Sequence, residues 1–275
     1  SSPALNVIYP RPETNSDTRA EYPILLLRHA MERTGVSFVL VPSEERMLQG
    51  RALRSLHEGN TVSVVWSMTN KERELQFRPI RIPIFKGLIG WRLLLIRKES
   101  QPVFSNIQSL ADLQHLIAGQ GHDWPDTQIL QDNGIPVTSP SNYDALFRLL
   151  NKGRVSFVPR SIVEIWDEEK RYKPMGLSVE KTLLLRYPTA VYYFVAKDNE
   201  ILANLIQKGL ELSIEDGSFD KLFYAHHQTA IDLANIKNRK IFDLHNLELP
   251  LNTPLHREEF WHREPKLEIQ KPKHK

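Results

Sequence analysis

Residues Gln120-Gly121-His122-Asp123-Trp124-Pro125 form the segment with the most direct chemical meaning in this chain. A proline suits the first turn of a helix, where its missing N–H has no partner to lose. The free N–H groups of that turn attract an anion. The segment therefore predicts an anion-binding loop built from Gln120, Gly121, His122 and Asp123. Other chemistry leaves fainter traces. Gly119-Gln-Gly121 is not followed by the third glycine of a dinucleotide fingerprint, and no Walker lysine motif occurs. Ser178-Val-Glu-Lys181 and Ser218-Phe-Asp-Lys221 have Ser-x-x-Lys spacing without its companion motifs and read as caps. His226 and His227 point to different helix faces, and His256 and His262 lie in the tail, so no metal site is expected. Asp167-Glu168-Glu169 reads as a solvated helix end. With Cys absent, disulfides, zinc–thiolate sites and thiol catalysis are all excluded. A serine triad is recognised by geometry, so none is nominated, and no catalytic residue or cofactor is expected.

These residues need elements to position them. The first block alternates short β runs with amphipathic helices. A strand over Leu5–Tyr9 ends at Pro10-Arg11-Pro12, and a helix over Ala20–Thr34 puts Ile24, Leu27 and Met31 on one face. A strand follows over Val36–Val41, then a helix capped by Ser43 that stops at Gly59-Asn60, then a strand over Thr61–Ser67. The β-α-β-α-β order argues for a parallel sheet covered by helices. Arg73 to Lys86 is dense in charge and proline, and Gly87–Arg97 is extended and apolar. A second block begins at Ser109-Leu-Ala-Asp112, a helix start with a carboxylate in its first turn. It continues through a strand near Leu116–Ala118, helices at Pro125–Asn133 and Asn142–Asn151, and a strand over Val155–Val158. Extended runs at Thr182–Arg186 and Ala190–Ala196 lead to helices over Asp198–Glu215 and Phe219–Leu233, and a polar, proline-punctuated tail follows. The expected organisation is a first lobe over 1–90, an inserted second lobe over 91–190, a return to the first over 191–235 and an extension over 236–275. The chain would cross between lobes twice, near 86–97 and 186–196.

Length and composition agree with about two folded domains, at 275 residues, 41% hydrophobic and 25% charged. A net charge of +3, from 36 Lys and Arg against 33 Asp and Glu, gives no reason to expect nucleic acid as a partner. No apolar run reaches the roughly 18 residues of a membrane span. The longest candidate, Gly87–Ile96, is broken by Arg92.

Four segments together resemble the type II periplasmic solute-binding proteins, in particular the amino-acid-binding branch. They are Ser67-Met-Thr69-Asn-Lys-Glu-Arg73-Glu, Ser109-Leu-Ala-Asp-Leu113, Leu149-Leu-Asn-Lys-Gly153-Arg-Val155, and the run from Ala196-Lys-Asp198 through Asp216-Gly217-Ser-Phe-Asp220. The likeness covers roughly residues 5–228. It implies an α/β class and a two-lobed fold, each lobe a mixed, mainly parallel sheet flanked by helices, with a double-strand hinge and a ligand cleft between the lobes.

The family's carboxylate-holding hydroxyls and arginine map onto Ser67, Thr69 and Arg73, and an Arg fork suits a carboxylate because it donates two parallel hydrogen bonds. The bland readings are a solvated charge run for Arg73 and local backbone capping for the hydroxyls. Arg11, Asp17, Arg19 and Tyr22 surround the first strand-to-helix loop, which faces the cleft in such a fold; Arg11 is the preferred contact, and Asp17 with Arg19 reads as a simple pair. Tyr9 joins the expected ligand set, and Trp66 would supply an aromatic wall. The family's amine anchor, an Asp, is replaced by Ser161 beside Arg160. An α-ammonium would meet a cation there, so the expected ligand is a small anionic solute.

The resemblance implies a non-catalytic protein that captures a small polar molecule for uptake, with a membrane transporter as partner, or for sensing, as the input domain of a membrane signalling protein. A companion domain of a cell-wall or glycan hydrolase is the third class. A monomer in the periplasm or outside the cell is expected; the opening Ser1-Ser2-Pro3-Ala4 reads as a mature start whose signal peptide has been removed.

Overall fold

The computed structural model describes residues 3–15, 17–58 and 61–264. In chain order the elements are β1 (Leu5–Arg11), α1 (Glu21–Arg33), β2 (Phe38–Arg46), α2 (Gln49–Glu58), β3 (Val65–Met68), α3 (Lys71–Gln76), β4 (Phe77–Ile80), β5 (Trp91–Arg97), α4 (Gln101–Ser105), α5 (Leu110–Leu113), β6 (Ala118–Gly119), α6 (Pro125–Asp132), β7 (Val137–Thr138), α7 (Tyr143–Asn151), β8 (Val158–Ser161), α8 (Ile165–Tyr172), β9 (Leu177–Val179), β10 (Leu183–Arg186), β11 (Val191–Ala196), α9 (Glu200–Glu215), α10 (Ser218–Ala234) and β12 (Lys240–Asp243). The chain divides into two compact units: Ser1–Phe85 with Ala190–His226 and Glu248–His256, and Lys86–Thr189 with His227–Leu247 and Arg257–Lys275. Residues after 235 thus contribute to both units.

In the first unit, β1 and β2 pair in parallel across α1, from Leu5↔Phe38 to Arg11↔Arg46. The expected third parallel strand is different in detail. Ser63 and Val64 donate their N–H groups to Ile8 O without regular strand geometry, and β3 instead pairs antiparallel with β11, which also carries β4. Ser43 does not cap α2. The β2 strand runs on through it, because Ser43 Oγ accepts from Arg11 N at 2.9 Å and donates to Glu45 O at 2.6 Å. The expected stop of α2 at Gly59-Asn60 lies outside the described residues. Leu26, Leu27, Ala30 and Met31 of α1 are fully buried, as are Ile206 and Leu210 of α9. Gly209 permits this approach: a Cβ there would lie 2.0 Å from Ala30 O.

In the second unit the sheet order is β12-β10-β5-β8, with β9 also on β5. The long apolar run becomes β5, whose Leu93, Leu94 and Leu95 are fully buried. It pairs antiparallel with β8, β9 and β10, so antiparallel pairings are more prominent than the expected mainly parallel sheet. Parallel pairings are β10 with β12 and β6 with β7. Ser109 closes a full capping box with Asp112 at the start of α5, and Asn142 caps α7 by accepting from Ala145 N at 2.9 Å. Past residue 235, Lys240–Asp243 supply β12 to this sheet. Further along, Trp261 covers Gly87, and Lys86 Nζ donates to Glu259 O at 2.7 Å.

Candidate functional site

The carboxyl end of β3 in the first unit brings together the residues that the motif singled out. Asn70 sits in extended backbone and caps α3, its Oδ1 accepting from Arg73 N at 2.8 Å. This cap starts the helix immediately after the strand and turns Arg73 back toward it. Arg73 Nη1 donates to Met68 O at 2.8 Å and to Ser67 Oγ. Ser67 Oγ also accepts from Gln49 Nε2 at 2.7 Å. Thr69 Oγ1 donates to Glu74, whose Oε1 takes Arg81 Nε at 3.0 Å and Nη2 at 2.9 Å. Arg73 is buried, so it is not the solvated charge of a surface run. Trp66 lies 6.2 Å from Tyr9 and edge-on to Tyr193. A guanidinium, a hydroxyl and an aromatic pair are therefore held around one strand end by a cap and backbone bonds.

Gln49 and Glu74 belong to this cluster and were missed. Gln49 Oε1 is buried with no hydrogen-bond partner. A glutamine opening an amphipathic helix carries no local signal of such a role; only the fold brings α2 to β3. Arg11 lies at the end of β1, but its Nε donates to Ser43 O at 2.8 Å, which fastens it to β2. Asp17 and Arg19 form a two-point pair with contacts of 2.8 and 2.7 Å. Tyr22 is buried, its hydroxyl donating to Ile84 O at 2.9 Å.

The remaining expected site residues fall in the second unit and do not present themselves as expected. Arg160 and Ser161 lie within β8, opposite Leu93 and Arg92, rather than after it. The strand begins three residues later than the sequence pattern suggests, because Ser156 and Phe157 bond to the β6 segment instead. Arg160 is enclosed: its Nη2 lies 3.0 Å from Glu164 and its Nε 2.8 Å from Glu168, while the guanidinium stacks on Trp124 at 4.6 Å. Ser161 Oγ donates to Leu88 O at 2.8 Å. Glu168 is almost fully buried and accepts from Tyr143 OH, which corrects its assignment to a solvated helix end. Arg92 extends the network, with Nη2 at 3.1 Å from Asp126 and Nη1 at 3.6 Å from Glu164; Tyr187 OH donates to Asp126.

Three carboxylates thus share two guanidinium groups in the interior. Burial pushes the Glu168 carboxyl up, against the opposing pull of Arg160. Burial works to lower Arg160, but Glu164 and Glu168 outweigh it and hold the guanidinium firmly charged. The Gln120 loop is a compact turn. Gln120 and Gly121 are buried, and Gln120 Nε2 donates to Pro159 O at 3.3 Å. His122 is exposed and Asp123 half-buried. A Cβ on Gly121 would fall 2.5 Å from Trp124. Among the described residues no group of three or more His, Cys, Asp or Glu side chains is placed to hold a metal, and no helix is long and apolar enough to cross a membrane.

The sequence matches no family model and no curated protein. Solved structures do match. An ancestral arginine-binding protein bound to arginine is 21% identical, with a TM-score of 0.60 over 81% of this chain and 97% of its own. The substrate-binding protein of an amino acid ABC transporter is 13% identical, with a TM-score of 0.60 over 82% and 100%. A histidine kinase sensor domain with similarity to periplasmic binding proteins is 15% identical, with a TM-score of 0.59 over 81% and 95%. The fold is that of the type II periplasmic binding proteins. At these identities the likeness defines architecture, and the use to which the chain puts it rests on its own residues.

Proposed function

We propose that this chain is a non-catalytic solute-binding protein that captures a small polar molecule bearing a carboxylate. The observation that carries this is the strand end at Ser67. There the Asn70 cap turns Arg73 back onto Ser67 and Met68, so a hydroxyl and a guanidinium are ordered together beside Trp66 and Tyr9. A carboxylate suits that pair because charge-assisted bonds from a pre-ordered guanidinium cost little reorganisation. The case for an exclusively anionic solute rested on Arg160 and loses its force, since Glu164 and Glu168 already neutralise that cation. Amino acids are therefore included in the ligand class, in keeping with the arginine-binding and amino acid transport proteins that share the fold. The partner in this proposal is a membrane transporter or a membrane sensor, and the place is the periplasm or the cell exterior.

The test is a thermal-shift panel of the twenty amino acids and small carboxylic acids on the wild type and on Ser67→Ala. At least one compound should raise the wild-type midpoint and act much more weakly on the variant. A panel that stabilises neither protein, or both equally, would overturn the proposal.

A further inference from the structure

A concavity lies in the first unit, where β4 meets the start of α9. It has a volume of about 460 Å³ and is lined by Arg78, Arg81, Lys197, Asn204, Gln207 and Glu74, with Phe77, Pro79, Ile80 and Ala203 as its apolar floor. The volume falls in the range of small-molecule sites, roughly 300–1,000 Å³. Its lining carries three cations against one carboxylate. That carboxylate, Glu74, is only 7% exposed in its side chain and is committed to Arg81 and Thr69. The other two cations are held more loosely than Arg81. Arg78 faces the exposed Glu200 at 3.6 Å, and Lys197 Nζ rests on the carbonyl of Leu75. An exposed pair such as Arg78 with Glu200 contributes little to stability, which leaves the guanidinium open to a better-placed anion. The amide of Asn204 also lines the α9 side, while Gln207 Nε2 donates to Glu211 Oε1 at 3.2 Å.

We infer that this pocket binds a small multivalent oxyanion, a phosphate or a polycarboxylate, through Arg78, Arg81 and Lys197. Occupancy has a route to the loop that follows β3. An anion drawing on Arg81 competes with Glu74, and Glu74 is the acceptor of the Thr69 hydroxyl. Thr69 belongs to the loop proposed to hold the carboxylate of the captured solute, so the pocket is placed to tune that loop from outside it.

Calorimetric titration with pyrophosphate and, separately, citrate tests the site without any need to know the captured solute. The wild type should bind at least one with saturation, and Arg78→Ala/Lys197→Ala should bind it at least tenfold more weakly with an unchanged melting temperature. Binding of pyrophosphate alone identifies a phosphate site; binding of citrate alone identifies a polycarboxylate site. In a parallel titration followed by NMR, the Arg81 and Thr69 amides of the wild type should shift together. No saturation with either anion, or equal binding by the double variant, would overturn the site. Saturation with a silent Thr69 amide would overturn its connection to the loop.

Discussion

Removing Arg160 should destabilise the protein because it strips the main cation from a buried acid. In Arg160→Met, Glu168 loses its contacts at 2.8 and 3.0 Å and keeps the Tyr143 hydroxyl, while Glu164 keeps only the longer contact to Arg92. Deleting one partner of a buried pair costs about 3–5 kcal/mol. For a chain of this size that corresponds to a fall in melting temperature of roughly 6–20 °C. The pH dependence supplies a signature. Burial already raises the folded-state pKa of Glu168, and without Arg160 it rises further. A carboxyl whose folded pKa lies above its unfolded value contributes stability at low pH and loses it as pH climbs through the interval above the ordinary glutamate value of about 4.3. The variant should therefore melt closer to the wild type at pH 5 than at pH 8. Glu168→Gln leaves Arg160 its bond to Glu164 and should be milder, at about 1.5–3 kcal/mol, with no steepening. Arg160→Met/Glu168→Leu should recover much of the loss, since an apolar pair of similar volume often replaces a buried ion pair without cost. Calorimetric melts of the three variants at pH 5 and pH 8 decide it. A single-variant loss below about 1 kcal/mol, independent of pH, would refute the account of Arg160 as an enclosed structural cation.

Gly209→Ala gains about 1 kcal/mol in helix propensity but drives a methyl group to within 2.0 Å of Ala30 O. It should show a net loss in a thermal melt, and a neutral or stabilised variant would mean that α1 and α9 do not approach so closely. Asp112 has its pKa lowered mainly by the backbone N–H groups of Gln108 and Ser109. Its contribution is present above the unfolded value and lost as pH falls through the folded one, so NMR titration should find it ionising below the ordinary aspartate range of about 3.9; an ordinary value would dissolve the capping box.

Local signals were legible where they are written in adjacent residues. The helix start read at Ser109-Leu-Ala-Asp112 appears in the structure as a capping box, and the helix expected from Asn142 begins one residue later with Asn142 as its cap. The Ser67–Arg73 motif is one strand end, one cap and one returning side chain, all within seven residues, and the structure brings those groups together. What escaped depends on partners far along the chain. Ser43 has the composition of a cap, yet Arg11, 32 residues away, uses its hydroxyl to extend a strand. Glu168 looks like part of a solvated acidic run until Arg160 and Tyr143 close over it. Arg160 and Ser161 are the last two residues of β8 rather than residues beyond it, because Phe157 bridges to Ala118, a contact that no local pattern announces. Gln49 joins the site only because α2 packs beside β3.

The central claim is that the strand end at Ser67 and Arg73 holds a small carboxylate-bearing solute. Native mass spectrometry of freshly purified protein, beside Arg73→Lys, tests it most directly. Lysine keeps the charge but loses the two-pronged fork, and impairing one such desolvated contact costs about 2 kcal/mol or more, roughly 30-fold in affinity. The wild type should carry a small-molecule mass that leaves on gentle activation, or should acquire one from a mixture of amino acids and small carboxylates, while the variant stays bare at the same concentration. A wild type that remains bare in that mixture, or a variant that carries the same mass to the same extent, would contradict the account.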